Sequence, residues 1–340
     1  MIISRTPFRV SLFGGGTDYP AWYRVHGGAV LAAAIDKYCY LSCRPLPPFF
    51  EHRIRVVYSK IENCRTVGEL QHAAVRAVLE HLRITGGLEI HHDGDLPARS
   101  GMGSSSAFTV GLLHALYAMQ GVHPAPDRLA AEAIHLEQDV LLETVGSQDQ
   151  VTVAHGGVNH VSFLPGGRII VTPVAAGGPR LAELNAHLML VYTGIQRTAS
   201  QVAGTYAHDL ARNAETLLHT RALVDEALAI LRGSGPLAPI GPLMHDAWMA
   251  KTRLSAAVTT REVSGAYAAA RAAGATGGKL TGAGGGGFLL LFVPPDRQRD
   301  VRAALSHLVH VPFSFDFSGS RIVLDDSPSR AEIPCVPICS

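Results

Sequence analysis

The interpretation of the whole chain depends on one stretch, Leu96-Pro97-Ala98-Arg99-Ser100-Gly101-Met102-Gly103-Ser104-Ser105-Ser106-Ala107. Its two glycines let the backbone bend tightly and approach a ligand closely, and three serine hydroxyls follow. The apolar run 107–116 then predicts a buried helix. A glycine and serine loop at a helix N-terminus presents free N–H groups and the positive end of the helix dipole, which suits a phosphate. The alternative is an ordinary serine and glycine cap on a core helix.

The composition describes a well-buried globular protein. Of 340 residues, 47% are hydrophobic and 17% are charged, and the formal net charge is +1. This balance argues against a disordered chain and against a protein whose main partner is nucleic acid or an anionic membrane surface. We see no secretory signal and no apolar run of transmembrane length, so we expect a cytoplasmic protein with no nucleic-acid or membrane partner.

The five cysteines are an odd number, thinly spread, which favours a reducing compartment over a disulfide framework. Cys39 and Cys43 have C-x3-C spacing, as do Cys335 and Cys339. The usual zinc pair is two residues apart. We therefore interpret these cysteines as buried or unreactive thiols.

Another glycine-rich stretch, the first in chain order, follows a predicted strand, Phe8–Phe13. Strand alternation places Arg9 and Ser11 on the same face, where Arg9 is either a cleft residue or a surface arginine. The strand runs into Gly14-Gly15-Gly16-Thr17-Asp18-Tyr19-Pro20. The glycines alone indicate a turn, but the threonine and aspartate side chains hydrogen-bond sugar hydroxyls well.

Two carboxylates stand out between residues 126 and 150. Asp127 is predicted to cap a helix from Arg128 to about Leu142, and Glu137 lies on the apolar face of that helix. A buried carboxylate needs a partner, so Glu137 is either an ion-pair member or a metal ligand. Asp149 lies in a polar turn, 146–150, where alone it would be a cap or turn residue.

The rest of the chain alternates strands, helices and loops. A linker is predicted at 175–179, and a third glycine loop, Lys279-Leu280-Thr281-Gly282-Ala283-Gly284-Gly285-Gly286-Gly287, precedes a buried strand. Other predicted strands are 28–37, 38–43, 54–58, 88–92, two within 157–174, 187–192, 288–293 and one or two within 313–324. Other predicted helices are 69–82, 209–231, 241–256, 262–273 and 296–308. The Pro/Cys-rich tail is predicted to wrap around the fold.

The three glycine stretches match neither common nucleotide motif. Ser106 stands where a dinucleotide fingerprint needs glycine, and there is no Gly-Lys-Ser/Thr of a Walker A loop. Together and in this order, with Gly146-Ser147-Gln148-Asp149-Gln150 between the second and the third, they resemble the GHMP kinases. The resemblance implies an α+β GHMP kinase fold. Residues 1–178 would form an N-terminal α/β domain like domain 2 of ribosomal protein S5, and residues 179–340 a ferredoxin-like α+β domain, with ATP and sugar between them.

The resemblance also implies a role for each motif. Asp149 would be the catalytic aspartate that accepts the proton of the sugar hydroxyl, and Arg9 would orient it. Ser105 and Glu137 would hold Mg²⁺ on the ATP phosphates. The implied ATP-binding residues are Ser100, Gly101, Met102, Gly103, Ser104, Ser105 and Ser106. The implied substrate-binding residues are Gly15, Gly16, Thr17, Asp18, Lys37, Gly194, Arg197, Gly284 and Gly285, with Lys37 and Arg197 proposed for a substrate phosphate.

Within the superfamily the sequence most resembles bacterial kinases of D-glycero-α-D-manno-heptose 7-phosphate. Galactokinases carry Glu and His where this chain has Gly15 and Gly16, so the sugar pocket gains room and loses a carboxylate that would repel a phosphate. The implied product is the 1,7-bisphosphate, used for GDP-heptose and surface polysaccharide. A kinase of fucose or unphosphorylated heptose, a catalytically silent sugar- or ATP-binding regulator, and an unrelated dehydrogenase are the rivals. A homodimer is compatible with the sequence, which gives no oligomeric state.

Overall fold

A computed structural model of the chain describes residues 1–196, 202–207 and 210–326. The strands of these residues are β1 Ile2–Phe13, β2 Gly28–Pro45, β3 Ile54–Val57, β4 Ile61–Cys64, β5 Leu88–Gly94, β6 Val158–Phe163, β7 Ile169–Pro173, β8 Leu188–Tyr192, β9 Gly277–Leu280, β10 Phe288–Phe292, β11 Val309–Val311 and β12 Arg321–Asp325.

The α-helices of the described residues pack around these strands. They are α1 Pro20–His26, α2 Ala73–His81, α3 Ser104–Met119, α4 Pro126–His135, α5 Gln148–His155, α6 Gly178–His187, α7 Ala214–Arg232, α8 Ile240–Thr252, α9 Arg261–Ala272 and α10 Gln298–Ala304. Within the described ranges, no helix combines the length and the apolar character needed to cross a bilayer.

The first sheet has eight strands in the order β12-β1-β2-β5-β3-β4, with β6 beside β2 and β7 beside β6. The predicted strands 28–37 and 38–43 are one continuous strand, β2, which pairs along the whole of β1. Helices α3, α5 and α7 pack on β1 and β2. Residues 8–13 of β1 are therefore all buried, although strand alternation alone suggests one covered face.

The second sheet has four antiparallel strands in the order β11-β8-β10-β9, and helix α8 packs along β9. After β11 the chain returns to the first sheet, where β12 pairs antiparallel with β1. The boundary between two domains at residues 178 and 179 stays a prediction. Strand β12 departs from it, because it lies after that boundary in the chain but pairs with β1 of the first sheet.

Several predictions about helix boundaries are wrong, among them the following three. Helix α4 begins at Pro126, with Ala125 as its N-cap and Asp127 in the first turn, because proline suits the first helical position. It ends at His135 and passes into a π-helical turn, Leu136–Val140, that carries Glu137. The predicted helix 69–82 is a short 3-10 turn followed by α2. The predicted polar turn 146–150 ends in a helix, α5, whose first turn contains Asp149.

The cysteines Cys39, Cys43 and Cys64 are buried free thiols, as predicted for the first pair. Cys335, Cys339 and the rest of the predicted wrapping tail lie outside the described residues. In the part of the chain that the structure describes, no three His, Cys, Asp or Glu side chains are grouped to hold a metal ion.

Candidate active site

The structure brings Arg9 and Asp149 together as a two-pronged ion pair. Arg9 Nε donates to Asp149 Oδ1 at 2.7 Å, and Nη2 donates to Oδ2 at 2.6 Å. The arginine side chain is 3% exposed and the aspartate 25%. Fork-to-fork pairing fixes both groups in one geometry, so the carboxylate reaches the surface in an orientation that the buried arginine sets.

The same arginine contacts the second glycine loop, residues 100–106. Arg9 Nη1 donates to the carbonyl oxygen of Gly101 at 2.7 Å, and the Arg9 backbone N–H donates to Met102 O at 3.1 Å. Gly103 has φ of 72°, and a Cβ there would lie 3.0 Å from Arg9 Cγ and 3.6 Å from Asp149 Oδ2. Glycine at this position therefore lets the loop approach the ion pair.

The third glycine loop, residues 281–287, packs backbone to backbone on the second. A Cβ on Gly101, whose φ is 76°, would lie 2.7 Å from Thr281 O. A Cβ on Gly287 would lie 2.1 Å from Ser100 O. Since one loop precedes α3 and the other joins β9 to β10, the site is built from both sheets.

The serines at the start of α3 divide into open and internal groups. Ser105 is exposed and Ser104 half-buried, whereas Ser106 and Met102 are buried. Ser100 is also buried, and its hydroxyl donates to Pro97 O at 2.7 Å. The side chains open to a ligand at this helix N-terminus are therefore those of Ser104 and Ser105.

Glu137 is buried beside this helix, as predicted, but its serine partner is Ser106 rather than Ser105. Its Oε2 accepts from Ser106 Oγ at 2.9 Å and from Gln150 Nε2 at 2.6 Å. Its Oε1 is buried with no hydrogen-bond partner. Burial raises the pKa of Glu137 to about 7. The unpaired oxygen fits a hard cation such as Mg²⁺, which prefers oxygen ligands.

The first glycine loop, residues 14–18, differs from the sequence prediction. Thr17 is fully buried, and its hydroxyl bonds with Gly14 O, Ala29 O and the Ala29 N–H. Asp18 is 1% exposed. Its carboxylate accepts from the Gly16 N–H at 2.9 Å and from Gln148 Nε2 at 3.0 Å. The two side chains predicted to hold sugar hydroxyls therefore hold the loop itself.

Burial also raises the pKa of Asp18, and the negative charge of Asp149 adds to the shift. Because its partners include the backbone N–H of Gln148 at 3.3 Å, Asp18 fixes the start of α5 immediately before Asp149. Asp18 therefore helps to position Asp149, the candidate catalytic residue.

The sequence motifs do not predict a role for two buried lysines near the ion pair, Lys279 and Lys251. Lys279 is 5% exposed, and its ammonium donates to Leu12 O at 3.3 Å. Burial, helped by the positive charge of Arg9, lowers its pKa to about 8. Lys251 donates to Leu280 O at 3.1 Å and to Gly282 O, which fixes the third glycine loop. Lys279 stands in the motif that the sequence singles out, but its burial depends on tertiary packing.

The other predicted substrate residues have different surroundings. Lys37 pairs with Asp36 at 3.1 Å. Gly284 and Gly285 are buried against the backbone of Val258. Gly194 follows Thr193, whose hydroxyl donates to Gly287 O at 2.8 Å, so it borders the third glycine loop. Arg197 lies outside the described residues.

Comparison with known families decides what this arrangement belongs to. Residues 69–157 match the GHMP kinases N terminal domain, and residues 226–310 match the GHMP kinases C terminal domain. The chain belongs to the GHMP kinase family. It is a phosphotransferase with an alcohol group as acceptor, and the predicted fold class is confirmed.

Named relatives cover nearly all of the kinase. It is 29% identical over 318 residues, 89% of this chain and 93% of the relative, to D-glycero-α-D-manno-heptose 7-phosphate kinase of Campylobacter jejuni. A crystal structure described as a D-glycero-D-manno-heptose 1-phosphate kinase from Bacteroides thetaiotaomicron superposes with a TM-score of 0.79 at 22% identity, covering 96% of this chain and all of that one. Lactococcus lactis galactokinase with galactose superposes with a TM-score of 0.73 at 19% identity, covering 94% of each chain.

Proposed function

We propose that this sugar kinase transfers the γ-phosphoryl group of ATP to the anomeric hydroxyl of D-glycero-α-D-manno-heptose 7-phosphate. The observation that carries the proposal is the Arg9–Asp149 pair held on the second glycine loop by the Arg9–Gly101 hydrogen bond. The substrate rests on the name of the Campylobacter relative, which matches along most of both chains.

Asp149 is the general base in this proposal. Its carboxylate is partly exposed while Arg9 is buried, so a hydroxyl can reach the aspartate but not displace its partner. Arg9 keeps the carboxylate oriented, and a positioned base of this kind contributes roughly 10²–10⁴ in rate.

The phosphates of ATP lie at the N-terminus of α3 in this proposal. Free backbone N–H groups and the open hydroxyls of Ser104 and Ser105 face them. Arg9 and Lys279 supply positive charge, which phosphoryl transfer needs more than covalent chemistry. Glu137 would hold Mg²⁺, which neutralises phosphate charge when bound, and Ser105 as a second ligand stays a prediction of the motif resemblance.

The experiment is a purified-enzyme assay of ADP release, with ³¹P NMR of the product, over a panel of sugars. We expect turnover with heptose 7-phosphate to exceed turnover with heptose, heptose 1-phosphate, fucose and galactose, and a new anomeric phosphate resonance. A different preferred sugar would replace the substrate, and the absence of sugar-dependent ADP release would overturn the proposal. Arg197 stays a proposal for the 7-phosphate contact.

A further inference from the structure

Two polar atoms beside the first glycine loop have no partner. Ser11 Oγ and Gln148 Oε1 are both buried without a hydrogen bond, and their residues are 4% and 8% exposed. Buried polar groups are nearly always hydrogen-bonded, so each exception needs an explanation. Neither residue has a role in the proposed transfer.

The Ser11 hydroxyl and the amide nitrogen of Gln148 both line the space over Gly15. A Cβ built on Gly15 would lie 3.4 Å from Ser11 Oγ and 3.4 Å from Gln148 Nε2. Gly15 itself is partly exposed. The glycine therefore leaves open a small space between two buried polar side chains.

The hydrogen bonding of Gln148 defines what this space can accept. Its Nε2, the atom that lines the space, donates one N–H to Asp18 Oδ2 at 3.0 Å, which leaves the second N–H of the amide for a ligand. The Ser11 hydroxyl can both donate and accept. A ligand hydroxyl suits this pair, since its oxygen can accept from the Gln148 amide and can either donate to or accept from the Ser11 hydroxyl.

The space lies next to the reacting centre. Ser11 follows Arg9 by two residues on β1, so the two side chains share a face of the strand. Gln148 immediately precedes Asp149 at the start of α5. A molecule whose one hydroxyl meets Asp149 can therefore place another between Ser11 and Gln148.

We propose that Ser11 and Gln148 form a hydroxyl subsite beside Gly15 that orients the sugar ring against Asp149. The proposal rests on the proposed function for the reaction and adds the residues that recognise a neutral sugar hydroxyl. The sequence motif predicts this role for Thr17 and Asp18, which the structure shows to be internally bonded.

The test compares Gly15→Ala and Ser11→Ala with Gly68→Ala. Gly15 has no left-handed φ, and its added methyl would meet neighbours only at ordinary contact distance, so it fills the space without strain. Gly68 is an exposed glycine with no heavy atom within 4 Å of the added methyl. We expect kcat/KM for heptose 7-phosphate to fall about 100-fold in Gly15→Ala and about 10-fold in Ser11→Ala. KM for ATP and Tm should stay at wild-type values, and Gly68→Ala should match wild type throughout.

A monodeoxy series of the sugar sharpens the test. One deoxy sugar should be a poor substrate for the wild-type enzyme. Its kcat/KM should not fall further in Ser11→Ala, because the hydroxyl and the serine would act through one shared contact, as a double-mutant cycle detects. Unchanged sugar kinetics in Gly15→Ala, or equal effects on sugar and ATP, would overturn the subsite and leave the space to ordered water.

The outcomes separate this inference from the proposed function. If fucose or galactose proves to be the substrate, the heptose assignment fails and the same variants are compared on that sugar. If no sugar of the panel raises the Tm of the wild-type kinase or is phosphorylated, both fail together.

Discussion

The first and second glycine loops look alike in sequence but present different atoms to a ligand. In the second loop, the hydroxyls of Ser104 and Ser105 lie open at the start of α3. In the first, Thr17 and Asp18 turn inward, and Gly15 is the partly exposed member. The second loop thus presents side chains to a ligand, whereas the first uses its side chains to fix the conformation of its own backbone.

The difference has a physical cause. Helix α3 already presents unpaired N–H groups, so its first serines remain free to add contacts. The first loop instead connects β1 to α1 and packs against β2, where a Cβ on Gly14 would lie 2.0 Å from Ala29 O. Its polar groups are desolvated there and must bond internally.

The largest loss of activity should follow substitution of Asp149, whose partner Arg9 joins β1 to the second glycine loop. We expect Asp149→Asn to lower kcat by about 10³-fold, because the amide cannot accept the proton, with ATP affinity little changed. Steady-state kinetics and calorimetric ATP binding measure the two quantities. The exposed Asp296→Asn is the control, and near-normal turnover in Asp149→Asn would remove the mechanism.

Substitution of Lys279 should lower kcat less than Asp149→Asn does, and it should make the fold more stable. Lys279→Met should lower kcat by about 10²-fold, since a cation near the transferred group is lost. It should also raise the free energy of unfolding at pH 7, by up to about 3 kcal/mol, because burial lowers the pKa of Lys279 from 10.5 to about 8.

The sign of this stability effect can be checked with pH. Between pH 8 and 10.5 the unfolded lysine holds a proton that the folded one has lost, so wild-type stability should rise with pH and approach that of Lys279→Met. Wild-type kcat should fall over the start of the same range. Denaturant unfolding and a pH–rate profile measure both, and a variant less stable than wild type at pH 7 would contradict the electrostatic argument.

Thr17 tests the first loop directly. Thr17→Val keeps the shape of the side chain but removes its bonds to Gly14 and Ala29, so we expect a loss of about 1–3 kcal/mol of stability. KM for the sugar should stay close to the wild-type value. A tenfold higher KM with unchanged Tm would show that the hydroxyl contacts the substrate after all, and that the two loops work alike.

The smallest effect should be at Lys37. Its ammonium pairs with Asp36 near the surface, and such pairs contribute about 0–1 kcal/mol. We expect Lys37→Ala to change neither Tm nor KM for a phosphorylated sugar measurably. A marked rise in that KM would return Lys37 to the substrate site.

The sequence predicts the fold and the ion pair better than the sugar contacts. Periodicity and glycine breaks locate most strands and helices, and the motif resemblance pairs Arg9 with Asp149, 140 residues apart in the chain. It does not predict Lys279, Ser11 or Gln148, because their significance lies in burial and missing partners that only the packed structure defines. Asp127 was misread for a local reason, since Pro126 moved the start of its helix by two residues.

The position of β12 has a consequence for shortened forms of the protein. This last described strand covers the outer edge of β1 at residues 2–5. A chain cut within residues 312–320 would leave that edge unpaired, and open strand edges invite pairing with other molecules. Loss of the segment beyond such a cut, well outside the glycine loops, would therefore favour aggregation.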